Sequence, residues 1–207
     1  MHVVPQHPCH RSMIGVDIKG STRRRDPEKA HLRRSMYEML EKAMLAGGLA
    51  GTCRDPFLDR GDGVLVLVHP VDRAPKTVLL GTVVPAFAAL LAEHNKRHPE
   101  QAYQVRVVVH AGEVSYDANG CFGEAVDVAF RLLDSEPAKR TLDATTAPMV
   151  LVVSEEIHRC VVRHGFPGID PNAYSRMLMP PIRGLDRSGW LRVVDGATDL
   201  GEYRREA

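Results

Sequence analysis

The stretch TCRDPFLDRGDGVLVLV, residues 52–68, sets the fold. TCRDPFL and VLVLV each read as a strand, and the glycines of DRGDG between them make the tight loop of a β-hairpin. VLVLV is apolar at every position rather than at alternate ones, so it belongs centrally in a sheet covered on both faces. The loop also carries a carboxylate, Asp62, at the point where the chain reverses.

Upstream, MIGVD (13–17) reads as a short apolar strand ending in Asp17, and KGSTRRRDP follows as a turn. From Glu28 to Ala46 the apolar positions Leu32, Met36, Leu40 and Ala43 recur every three or four residues, the mark of an amphipathic helix that Gly47 and Gly48 end. Downstream, 76–95 reads as a helix or broken helix with Pro85 at a start or kink. VRVVVHAGEVSY (105–116) is a β-branched strand interrupted by His110 and Gly112, and DANGCFG is a turn-rich loop. EAVDVAFRLLDSE (124–136) is helical, with Ala125, Val128, Ala129, Leu132 and Leu133 on its buried side. PMVLVV is a strand, SEEIHRCVV a helix capped by Ser154, 167–181 a turn-rich passage, and GWLRVV a last edge strand. The order β, α, β-hairpin, α, β, α, β, α predicts an α/β two-layer sandwich.

The composition sets bounds on function. Of the 207 residues, 44% are hydrophobic, enough for one packed domain. Lys and Arg number 27 against 26 Asp and Glu, which gives no general attraction to nucleic acid or to an anionic membrane. Tyr37, Tyr103, Tyr116 and Phe122 do not interleave with basic residues, which argues further against nucleic acid. Between Lys76 and Glu93 lie 16 uncharged residues, short of the about 20 that a membrane span needs. The N-terminus has no apolar signal region, so a cytoplasmic location is expected. Cys9, Cys53, Cys121 and Cys160 form no CxxC pair, and the group His2, His7, Cys9 and His10 reads as a flexible leader rather than a metal site. The expected organisation is a leader (1–12), a domain (13–196) and a tail (197–207).

Two carboxylates carry the chemistry. If the first strand and the hairpin are neighbours, Asp17 and Asp62 meet at one edge, where two such charges about 4 Å apart repel by roughly 4 kcal/mol at an effective dielectric of 20. A hard divalent cation such as Mg²⁺ removes that penalty and keeps positions open for phosphates. Ile18, Lys19, Gly20, Ser21 and Thr22 follow as a turn into a helix, whose backbone N–H groups suit phosphate oxygens. Taken alone, Asp62 as a turn residue and Asp17 as a helix cap explain the pattern equally well.

MIGVDIKGST, LDRGDGVLVLV, VRVVVHAGEVSYDANGCFGEAVDVAFRLLDSE, LVVSEEIH and PIRGLDRSGWLRVV, in that order, resemble the segments of class III adenylate and guanylate cyclase domains. The resemblance implies that family's ferredoxin-like core sheet. It implies that Asp17 and Asp62 hold two ions, Mg²⁺ or Mn²⁺, and that the backbone of 18–22 binds phosphates. It implies that Arg131 stabilises charge on the transferring phosphoryl group across a head-to-tail homodimer, and that Arg183 stands where the family has a Lys. Three positions depart from the pattern: Leu58 replaces a base-reading Lys, Gly120 a base-reading Asp or Thr, and Asp127 the helix Asn that orients ribose. An unpaired buried carboxylate is costly, so Asp127 is expected to pair with Arg131 or to take a new role in catalysis. Two expectations follow: a cyclase acting on a nucleoside triphosphate with non-purine or relaxed base choice, or an inactive domain that binds a nucleotide or a protein partner.

Overall fold

The computed structural model describes residues 5, 7–177 and 188–196. Its centre is an eight-stranded sheet of order β2-β3-β1-β4-β6-β8-β7, with β5 paired to the far end of β4. The strands are β1 (Cys9–Ile18), β2 (Leu58–Asp59), β3 (Gly63–Val68), β4 (Val105–Asp117), β5 (Gly120–Phe122), β6 (Met149–Ser154), β7 (Ser175–Met177) and β8 (Gly189–Val194). The helices are α1 (Asp26–Ala46), α2 (Lys76–Val78), α3 (Val84–Arg97), α4 (Glu124–Leu133), α5 (Glu136–Asp143) and α6 (Glu155–Cys160). This is the α/β architecture expected from the sequence.

The run VLVLV is covered on both faces. Val64, Val66 and Val68 join Ile14, Val16 and Ile18 in the larger core beneath α1 and α3. Leu65 and Leu67 point the other way and pack with Met13, Val108 and the inner side of α4, where Ala125, Ala129 and Leu132 are buried. Period-two alternation thus feeds two apolar layers from one strand.

Several boundaries differ from the sequence reading. β1 begins at Cys9 instead of Met13, because residues 9–12 pair with 111–114 of β4; that part of the expected leader belongs to the sheet. TCRDPFL is mostly loop, tied to β3 by a single bridge between Arg54 and Val68, and β2 proper holds two residues. β4 runs unbroken through His110 and Gly112. His110 satisfies its ring by a 2.8 Å hydrogen bond between Nδ1 and Ser154 Oγ. At Gly112 a side chain would collide with Ala125 Cβ, so the glycine lets α4 close on the sheet. DANGCFG is not wholly loop, since Gly120–Phe122 forms β5. The expected helix 124–136 stops at Leu133, and Ser135 caps a separate α5 by accepting a bond from the Ala138 amide. β8 is internal, and β7 takes the edge.

The helical passage 76–97 is broken as its proline requires. Pro85 has no N–H to continue the α pattern, and the chain widens into a π turn at Leu79–Val83 just before it. By length and apolarity, Lys76–Arg97 is enough to cross a membrane, yet Leu80, Val83, Phe87 and Leu91 are fully buried in the core.

Candidate active site at the carboxyl end of β1

Pairing of β1 with β3 puts Asp17 opposite Gly63, next to Asp62 in the hairpin loop. Two glycines make this possible. Gly61 has φ 77°, the left-handed region that favours glycine. At Gly63 any side chain would collide with the carbonyl oxygen of Val16, so the tip can lie flat on β1 only without a Cβ. The Ile18 amide then donates to the Asp62 carbonyl at 3.2 Å and locks the two elements together. The predicted neighbourhood of Asp17 and Asp62 is present: both line a pocket of about 310 Å³ with Arg60, Arg106, Phe130 and Asp134.

Each carboxylate is half committed. Arg106, directly across from Asp17 in β4, donates from Nη2 to Asp17 Oδ2. The Ser21 hydroxyl donates to Asp62 Oδ2. Burial pushes the Asp17 carboxyl above the usual carboxylate range; Arg106 pulls it down, and the charge of Asp62 pushes it up again. The carboxylates of Asp17, Asp62 and Asp134 still outnumber the guanidiniums of Arg60 and Arg106 around this pocket, and a hard cation fits the remaining need. Among the described residues no three or more His, Cys, Asp or Glu side chains gather as a cage. An ion here would rest on two carboxylates and complete its shell with phosphate oxygens and water. Cys9 and His10 of the amino-terminal group are built into β1, and His10 Nδ1 lies 3.1 Å from Glu113 Oε1.

The turn after Asp17 is narrower as a phosphate cradle than expected. The Ile18 and Lys19 amides are spent on the carbonyls of Asp62 and Gln104. The Lys19 ammonium is held by Gln104 Oε1 at 2.9 Å and by Asp143 at 2.8 Å. α1 does not start until Asp26; a short 3-10 turn at Ser21–Arg23 intervenes. Its first bond runs from the Arg23 amide to the Gly20 carbonyl, so the amides of Gly20, Ser21 and Thr22 precede it. Ser21 and Thr22 line a cleft of about 540 Å³ with Asp62, Lys29 and Arg33. Arg33 is itself paired with Asp59.

The other predicted residues lie elsewhere. Leu58 and Gly120 face a second pocket of about 310 Å³, shared with Arg11, Asp55, His69, Tyr116 and Cys121. Asp127 and Arg131 are both exposed on α4, and no salt bridge joins them among the described residues; Asp127 does not pay the burial cost that the sequence reading attached to it. Arg131 is not among the residues around Asp17 and Asp62, although Phe130 and Leu133 from the same helix and Asp134 just after it are. Arg183 lies outside the described residues. The sequence reading missed Arg106, although VRVVV offered a clue: a charge in an otherwise apolar strand needs a partner.

Compared with solved structures, the chain aligns at a TM-score of 0.63 and 16% identity with an adenylate/guanylate cyclase/hydrolase from Silicibacter pomeroyi, covering 91% of this chain and 98% of that one. The fold is that of the class III nucleotidyl cyclase domain. An adenylyl cyclase from P. aeruginosa aligns at 0.56 and 17% identity over 95% of this chain and 98% of its own. The guanylate cyclase domain of a Catenaria anguillulae protein, solved in complex with GTP, aligns at 0.56 and 12% over 92% and 100%. No family model and no curated protein sequence matches this cyclase-type domain.

Proposed function

We propose that this domain is a divergent nucleotidyl cyclase that converts a nucleoside triphosphate into a 3′,5′-cyclic nucleotide and pyrophosphate. The observation that carries this reading is the meeting of Asp17 and Asp62 at one sheet edge, beside the Ser21 turn, within a cyclase-type fold. In the reaction the 3′-hydroxyl loses its proton to solvent as its oxygen bonds to the α-phosphorus, and the bond from that phosphorus to the β-phosphate oxygen breaks, releasing pyrophosphate.

Asp17 and Asp62 would hold Mg²⁺ or Mn²⁺, two ions in the expected arrangement. When bound, such ions supply positive charge to the triphosphate and acidify the 3′-hydroxyl. The chain's own groups prepare that site. Arg106 orients Asp17, the Ser21 hydroxyl orients Asp62, and the amides of Gly20, Ser21 and Thr22, which precede the first bond of the turn, would donate to phosphate oxygens. Arg131, exposed on α4, would serve the α-phosphoryl group of a second copy, with Asp127 one turn before it. That division of labour supports a head-to-tail homodimer with a site at each seam.

The test is purified protein incubated with each of the four nucleoside triphosphates and Mn²⁺, with cyclic products identified by mass spectrometry. A cyclic product from at least one supports the reading. The Arg106–Asp17 ion pair favours a second reading, nucleotide binding without turnover, because it already places a cation on one carboxylate. Tight calorimetric binding of a triphosphate without product would select it.

A further inference from the structure

The cations around the Asp17 pocket fall into two kinds. Arg106 is bonded to Asp17, and Lys139 Nζ lies 2.5 Å from Asp134 Oδ1. Arg60 lines the same pocket from the hairpin, two positions before Asp62, yet among the described residues no carboxylate forms a salt bridge with it. A guanidinium that shares a pocket with Asp17, Asp62 and Asp134 and pairs with none of them needs a physical reason.

Neutral neighbours hold it apart. The Arg60 amide donates to the Gly63 carbonyl at 3.0 Å, which fixes where the side chain leaves the hairpin. Its guanidinium sits over the Phe130 ring, 5.0 Å from the ring centre, and Nη2 lies 3.8 Å from Cys121 Sγ. Burial pushes the Cys121 thiol up, so the sulfur stays protonated at neutral pH and is no counter-ion. An aromatic face and a thiol occupy few of a guanidinium's N–H donors. The rest remain available at the wall of the pocket where Asp17 and Asp62 meet.

We propose that Arg60 binds the phosphate chain of the nucleotide from the same copy of the chain that supplies Asp17 and Asp62. The proposal rests on the nucleotide reading above and adds a binding residue to it. Two parallel N–H groups of a guanidinium suit the oxygens of a phosphate. The carboxylates of the pocket repel a triphosphate, and a cation that none of them has claimed offsets that repulsion at close range. Arg131, exposed on α4, serves the nucleotide of a second copy, whereas Arg60 needs no second copy. One copy can therefore hold the phosphates, and the pairing of two copies is required for turnover rather than for capture.

The experiment measures, by calorimetry on the full chain, the binding of inorganic tripolyphosphate with Mn²⁺ and of Mn²⁺ alone. Tripolyphosphate offers the phosphate chain without base or ribose. Wild-type protein is expected to bind it with Mn²⁺, and Arg60→Leu to weaken that binding at least about tenfold. Arg60→Lys, which keeps the charge without the fork, should recover part of the loss. Mn²⁺ alone should bind Arg60→Leu as tightly as wild type or more tightly, since a neighbouring cation is gone; a residue that only shaped the hairpin would weaken both ligands. Arg131→Ala should bind tripolyphosphate like wild type. Arg60 is exposed, so Arg60→Leu should keep the wild-type circular dichroism and melting curve; should it not, Arg60→Gln takes its place. The proposal is overturned by equal tripolyphosphate binding in wild type and Arg60→Leu, by parallel loss of both ligands, by an equal loss in Arg131→Ala, or by a wild type that binds a nucleoside triphosphate but no tripolyphosphate. Each of those leaves the nucleotide reading standing. A wild type that binds neither tripolyphosphate nor any nucleoside triphosphate overturns both.

Discussion

At its carboxyl end β1 presents Asp17; six residues earlier, about 20 Å along the strand, it presents Arg11. The two ends are built on opposite electrostatic plans. Around Asp17, the carboxylates of Asp17, Asp62 and Asp134 outnumber the guanidiniums of Arg60 and Arg106, and burial lifts the Asp17 carboxyl in spite of Arg106. Around Arg11, donors and acceptors alternate through Tyr116, Asp55 and His69. The first cluster keeps an excess of negative charge until something offsets it. The second is closed without a ligand and owes its rigidity to that closure. An incomplete cluster belongs where chemistry is to be done, and a complete one where shape is to be held.

The largest effects should come from breaking the incomplete end. Asp17→Ala and Asp62→Ala are each expected to abolish cyclisation in the mass-spectrometric assay. Arg131→Ala should lower kcat about a hundredfold, a loss of ~3 kcal/mol, while nucleotide binding changes far less. Product formation at the wild-type rate in any of these variants would contradict the assignment.

Stability should separate the two carboxylates that activity does not. Removing Asp17 leaves the mostly buried Arg106 with only the longer pairing to Asp134 at 3.8 Å and an Nε that has no hydrogen-bond partner, so Asp17→Ala should cost about 3 kcal/mol. Asp62→Ala removes repulsion and leaves one hydroxyl to re-pair, so its melting temperature should stay level or rise. Equal destabilisation of the two variants in calorimetric melts would refute this asymmetry.

Between the ends, His110 faces Met13 of β1, and burial draws its imidazole down to about 4 from the ordinary 6.5. A histidine whose folded value is depressed contributes stability that is complete above pH 6.5 and is lost as pH falls towards 4. The loss should reach about 3 kcal/mol, and His110→Gln should flatten it in urea titrations at pH 7 and pH 4.5. An unchanged pH slope would rule out His110 as its source. The smallest effect belongs to the closed end. Tyr116→Phe takes a donor from Asp55 and an acceptor from Arg11 and should cost about 1–2 kcal/mol. A neutral result would mean that the network is looser than its geometry.

What could be read from the chain beforehand followed the range of the interactions. GDG announced a hairpin because two positions demand glycine for local reasons, one a left-handed φ and one a missing Cβ. The helical face of α1 and the cap at Ser154 are likewise local. α5 was equally local and still passed over, although Ser135, Glu136 and Pro137 give a capped start with proline in the first turn. β5 and β7, at three residues each, are too short for any periodicity to register. The pocket network joins positions 11, 55, 69 and 116, and the partner of Asp17 sits at 106; no spacing in the sequence encodes such pairs. The burial cost attached to Asp127 came from the resemblance, which sets it where the family has the ribose-orienting Asn; the helix period had already left it off the covered face, where it lies exposed.

The pairing of β1 with β4 joins Cys9 to Val114 and Ile18 to Val105, so its contacts span about half the polypeptide. During synthesis β1 must wait, with its apolar residues unmatched, until Val114 and the stretch behind it have left the ribosome. At 5–20 residues per second that interval is of the order of ten seconds. Throughout it Asp17 and Arg11 belong to a segment with one potential neighbour, β3, and neither pocket exists. The Asp17 pocket is complete only once α4 has followed β4, and the Arg11 pocket only once β5 has.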